Sequence, residues 1–127
     1  MIPAAYEDLL TATNTAILVS LGVDGAPHAS PVWFLYDEGR IVVSTTADRQ
    51  KHRNLVRDPR VAFTVVDPAK PLRYLEVRGT VELTEDEGNV VRDRIAVKHG
   101  FADGGKFDAP GARRVNVTIV PTRVIEH

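Results

Sequence analysis

Six short runs rich in β-branched and aromatic residues punctuate this chain, and most end in a turn signal within a few residues. The first, Ala16 to Leu21, stops at "VDGAP", where Asp24-Gly25 marks a turn. The second runs from His28 to Tyr36 and contains Pro31, which predicts an edge position or a bulge. "DEG" leads into the third, Ile41 to Ser44. "RVAFTVVD" is the fourth, "PAKP" turns the chain, and "LRYLEVRGTVELT" is a long fifth whose Gly79 marks a bulge or a close approach. "RRVNVTIVPTRVIEH" is the last, with Val115, Val117 and Ile119 alternating. Strands in hairpin-like succession favour an antiparallel sheet closed into a small barrel, with helices beside it.

Three segments carry helical signals. "IPAAYEDLLTATN" opens with Pro3 in its first turn and can face Leu9, Leu10 and Ala12 inward. Asp48 to Asp58 follows Thr45 or Thr46 as N-cap and stops before Pro59. "TEDEGNVVRDRIAVKHG" predicts a helix with Thr84 as cap, acids in its first turn, and Gly100 after its end. With 127 residues, 43% hydrophobic and 26% charged, the chain suits one domain, residues 1–127, around one core.

Charge is distributed unevenly. The formal net charge is -1, which argues against a general nucleic-acid binder. Yet "STTADRQKHRNLVRDPR" concentrates Arg49, Lys51, Arg53, Arg57 and Arg60 against Asp48 and Asp58. Cations at the start of a helix oppose the positive end of its dipole. A bound anion there would reverse the sign, and it would accept bonds from first-turn N–H groups and from Ser44, Thr45 and Thr46. The competing reading is a solvated charged helix face.

Other chemistry is thin. No cysteine is present, which removes disulfides, thiolate metal sites and cysteine nucleophiles and is compatible with a cytoplasmic location. The first residues have neither a basic region nor a long apolar run, so no signal peptide is expected, and no segment is long enough to span a bilayer. His28, His52, His99 and His127 lack metal-ligand spacing, so no metal is expected. His28 and Ser30 share a strand face, but no nucleophile-elbow motif accompanies them. "PVWFLY" reads as core packing or as a wall for a flat ring. Gly22 and Gly25 sit in a hairpin turn, so no dinucleotide fingerprint forms.

Taken in order, "DGAPHASPVWFLYDEGRIVVSTTADRQKHRNLVRDPRVAFTVVD" and "YLEVRGTVELTED" resemble the pyridoxamine 5'-phosphate oxidase-like split β-barrel superfamily. Within it, the pieces "RQKHRNL" and "SPVWF" resemble the flavin/deazaflavin oxidoreductases that use coenzyme F-420. The resemblance implies a mainly β, six-stranded antiparallel split barrel with flanking helices, two of which associate as a homodimer with cofactor grooves at the interface. It implies that Arg49 and Lys51 hold the cofactor phosphate with Ser44, Thr45 and Thr46 assisting, and that Arg53 and Asn54 follow in the same motif. Ser30, Pro31, Val32 and Trp33 would lie along the ring system, with His28 near the strand's start. Tyr74 and Arg73 would reach the site from the partner subunit, and Arg53 and Arg57 would line the exit of a polyglutamyl tail. The implied activity is F-420-dependent reduction of a small unsaturated or quinone-like substrate, with no catalytic side chain nominated because the cofactor carries the reactive atoms. FMN is the alternative cofactor, and a non-catalytic flavin or deazaflavin carrier is the alternative role. The chain lacks the C-terminal extension of pyridoxamine phosphate oxidases proper, which argues against vitamin B6 as substrate.

Overall fold

A computed structural model describes all residues, 1–127. A short 3-10 turn, Ala4–Tyr6, leads into α1, Glu7–Thr11. β1 (Ala16–Leu21), β2 (Pro27–Val32), β3 (Phe34–Asp37) and β4 (Arg40–Thr46) follow, then α2 (Gln50–Arg57). β5 (Arg60–Val66) and β6 (Tyr74–Glu85) precede α3 (Val90–Lys98), and β7 (Arg114–Glu126) ends the fold. No helix is long and apolar enough to cross a membrane.

The seven strands form one antiparallel sheet in the order β2-β1-β5-β6-β7-β4-β3. Its two edges, β2 and β3, are neighbours in the chain and are separated by Trp33 alone. Laid flat, six inter-strand spacings of about 4.8 Å would put those edges about 29 Å apart. A one-residue link spans only about 7 Å. The sheet therefore has to curl, and the split barrel follows from this connection. The strand count is seven where the sequence predicts six, because the run from His28 to Tyr36 is two strands. Pro31 sits on β2, opposite Ile17, at an edge where its missing N–H costs no ladder bond. Past it, Trp33 leaves the ladder with β1, and Phe34 begins a new one with β4 opposite Val43.

The core lies inside the curl. Leu18, Phe34, Val43, Phe63, Val65, Leu75, Val77 and Val117 come from six strands and are all buried. Phe34 and Phe63 meet edge to face with centroids 5.1 Å apart, a favoured aromatic geometry. α1 adds Leu9 and Leu10 to this cluster, and α2 adds Leu55. Ala12 does not join them; it is the exposed C-cap of α1. Gly79 is the close approach the sequence predicts. A Cβ there would stand 2.0 Å from the Val120 carbonyl oxygen, and the β6–β7 register shifts beside it, between Arg78 and Gly79.

Two caps differ from expectation. Thr45 and Thr46 belong to β4, and Arg49 is the residue before α2. The turn is made instead by the Arg49 N–H donating to the Thr46 carbonyl at 3.1 Å. Thr84 lies within β6, and the start of α3 is served by Asp86, whose carboxylate accepts from the N–H groups of Val91 (3.0 Å) and Arg92 (2.9 Å). An ionised carboxylate offers two acceptors to a helix start where a threonine offers one hydroxyl.

Candidate functional site

A cleft of about 370 Å3 opens where the sheet's two edges meet. One wall is Pro31, Val32 and Trp33, the crossing point between β2 and β3. Ser44 of β4 lies on its floor, and Arg49 and Lys51 enter from the start of α2. α3 supplies Arg92, Ile95 and Ala96, the following loop supplies Phe107, and the start of β7 supplies Arg114. The cleft thus has an apolar, ring-lined side and a cationic side.

The aromatic side is braced from behind. Trp33 stacks on His99 with centroids 3.9 Å apart and planes 6° from parallel. Phe107 meets Trp33 edge-on at 5.9 Å, and Lys106 lies 4.1 Å from the centroid of Phe101, beside the same cluster. The His99 Nε2 is buried without a hydrogen-bond partner. Burial, with the Lys98 charge adding to it, holds this imidazole below the ordinary histidine pKa, so the neutral ring is the form that fits.

The cationic side is of two kinds. Arg92 and Arg114 share Asp108: Arg92 Nη1 reaches Asp108 Oδ2 at 3.0 Å, and Arg114 donates to the same carboxylate through Nε and Nη2. The Arg114 bonds hold Asp108 below the usual carboxylate range. Arg49 and Lys51, by contrast, form no ion pair. Lys51 is half-buried, and its ammonium is pushed below the ordinary lysine value by burial first and then by the charges of Arg49 and Arg114. A bound oxyanion would relieve this repulsion and replace the lost water.

The three hydroxyls that sequence reading groups together are separated by the pleat. Successive strand residues face opposite sides, so Ser44 faces the cleft while Thr45 turns into the barrel, buried with its Oγ1 unpartnered. Thr46 lies on the Ser44 side, where its hydroxyl is the main influence holding the Asp48 carboxyl below its ordinary pKa. Arg53 is occupied by the Asp48 carbonyl at 2.6 Å and by Gln50 Oε1 at 2.9 Å. Asn54 is fully buried and bonds Ser20 Oγ at 3.1 Å while accepting from Gln50 and Arg57. Arg57 also reaches the Leu21 carbonyl at 3.1 Å, so neither it nor Arg53 lines this cleft. His28 is exposed on β2 opposite Ser20, and Ser30 has its Oγ buried without a partner. Tyr74 stacks on His127 at 4.9 Å, and Arg73 bridges Asp8 and Asp67. Both lie away from the cleft lining. Sequence reading missed Arg92, Phe107 and Arg114. Their segments read as a helix, a loop and a strand, and no local pattern tells that all three converge on one cleft.

The chain matches the model of the pyridoxamine 5'-phosphate oxidase family over residues 2–124. It belongs to that family. The member described here is also similar to a solved F-420 reductase, with 32% identity over 98% of each chain and a TM-score of 0.86. It is similar to the conserved hypothetical protein Rv2991 of Mycobacterium tuberculosis, with 31% identity, 99% of this chain and 84% of that one covered, and a TM-score of 0.82. A pyridoxamine 5'-phosphate oxidase-type structure from Listeria innocua shares the fold at 23% identity, covering 96% and 94% of the two chains with a TM-score of 0.73.

The cleft residues suit a flavin-type group. Two unpaired cations can take its phosphate, Ser44 Oγ offers a further donor, and the Pro31–Trp33 wall can take a flat ring.

Proposed function

We propose that this pyridoxamine 5'-phosphate oxidase family member is an F-420-dependent oxidoreductase that reduces a small unsaturated or quinone-like molecule. One observation carries the reading: Arg49 and Lys51 stand without carboxylate partners in a cleft also lined by Pro31, Val32 and Trp33. Similarity to an F-420 reductase along nearly the whole chain supports the choice of cofactor. Bound there, a deazaflavin supplies the hydride. The chain's own part is to anchor the phosphate through charge-assisted bonds, to set the ring plane against the Pro31–Trp33 wall, and to keep water off that wall with Phe107, Ile95 and Ala96. No side chain of the cleft is placed as a proton donor. In this reading two chains form a homodimer, and Tyr74 serves the partner's cleft. A phosphate monoester also matches two unpaired cations, so FMN is the second reading.

Titration with F-420 and with FMN tests the cofactor. Trp33 is the sole tryptophan and lines the cleft, so quenching of protein fluorescence reports ring binding directly. Quenching by F-420 at low micromolar concentration is expected; tight FMN binding without any F-420 response would reject the leading choice. Turnover with enones, quinones and nitroaromatics then separates an enzyme from a carrier, and light scattering on a sizing column reads the dimer.

A further inference from the structure

We infer that Asp108, together with Asp93, sets the charge this cleft accepts: by neutralising Arg92 and Arg114 the two acids leave Arg49 and Lys51 as the seat for one phosphate group and disfavour ligands carrying a phosphate chain. The inference rests on reading the cleft as a phosphate site and adds a specificity to it.

Four cationic side chains line the cleft. Arg114 turns Nε and Nη2 onto Asp108 and leaves Nη1 for Ser44 Oγ at 3.4 Å. Arg92 turns Nη1 onto Asp108 at 3.0 Å, and Nε and Nη2 onto Asp93 Oδ1 at 3.0 and 2.9 Å. Both arginines are therefore committed, and both are well buried, as is Asp108, whose side chain is only 7% exposed. Arg92 is also held in place mechanically. The Gly104 backbone packs so tightly on it that a Cβ would stand 2.8 Å from Arg92 Cγ, and the Gly104 N–H donates to Asp93 at 2.9 Å. Two acids thus offset two arginines, and the uncompensated charge is that of Arg49 and Lys51. Two positive charges match one phosphate group. A second or third phosphate would have to approach guanidinium groups already paired with carboxylates, with Asp108 repelling it.

The probes are orthophosphate and tripolyphosphate, titrated calorimetrically at one ionic strength into wild type and Asp108→Asn. Removing the buried carboxylate charge that holds Arg92 and Arg114 is expected to tighten tripolyphosphate about tenfold and orthophosphate less than about threefold. An unchanged ratio of the two affinities in folded Asp108→Asn overturns the inference. Should near-ultraviolet circular dichroism show that variant unfolded, Asp93→Asn removes one of Arg92's two carboxylates and is read in the same way. The same samples are titrated with F-420. A shifted polyphosphate ratio without F-420 binding removes only the cofactor reading, whereas F-420 binding with an unshifted ratio removes only this one.

Discussion

Lys51 illustrates how a residue's surroundings decide its work. Its neighbours in charge are Arg49 and Arg114, both of its own sign, and burial adds to their effect. Replacing it with alanine relieves repulsion in the empty cleft and removes a charge-assisted bond when an anion is bound. Lys51→Ala is therefore expected to weaken F-420 binding by roughly 10- to 100-fold, the effect of about 1.5–3 kcal/mol for a bond to a charged group. Its urea midpoint should not fall. A variant that binds as wild type would remove Lys51 from the site. His99 yields a pH prediction. Its folded pKa is depressed below the ordinary 6.5, so between the two values the unfolded chain holds more protons. Stability then rises with pH through that window and is lost as pH falls through 6.5 and below. His99→Phe keeps a ring beneath Trp33 and removes the titration. Melting temperatures at pH 7.5 and 5.5 should differ more for wild type than for this variant; equal differences would count against the assignment.

At the scale of elements, α2 divides its duties between two faces. Arg49 and Lys51 turn to the cleft, while Asn54 and Leu55 turn to the barrel. Motif resemblance puts Asn54 with the cofactor residues, but the structure uses its amide to tie α2 to β1 through Ser20, with Gln50 and Arg57 on its Oδ1. Asn54→Ala leaves the buried Ser20 hydroxyl without this partner and should cost about 1–3 kcal/mol in urea unfolding. The loss should appear in stability and in F-420 affinity together, because Lys51 rides on the same helix and Arg49 is its N-cap. A variant with full stability and lost affinity would instead make Asn54 a direct ligand contact.

For the molecule as a whole, closure at Trp33 decides both fold and site. The chain leaves one sheet edge at Val32 and joins the other at Phe34, and Phe34 fills the core at that crossing, against Phe63 and under the Lys98 ammonium at 4.1 Å. Phe34→Ala is expected to cost about 3–5 kcal/mol, measured by denaturant titration with the slope unchanged. Closure also brings Pro31, Val32 and Trp33 into one cleft with α3 and the loop that follows it. The cleft is thus a consequence of topology, assembled from segments as distant in sequence as Pro31 and Arg114.

The amino-acid sequence by itself determines the properties that depend on near neighbours. Strand alternation in Ala16–Leu21 and Arg114–Glu126, the Gly79 close approach, the helix after Ser44-Thr45-Thr46, and the excess of cations on it all follow from local sterics and charge. The β1–β5 and β4–β7 pairings are long-range and carry no local signal, so they belonged to the tertiary structure. So did the split of His28 to Tyr36 into two strands. Charge was decided at the same level. The sequence contains Arg49, Lys51, Arg92 and Arg114 as equal cations, and only the placement of Asp93 and Asp108 separates the committed pair from the pair left for a ligand. Coulomb energy depends on distance in space, and folding sets that distance.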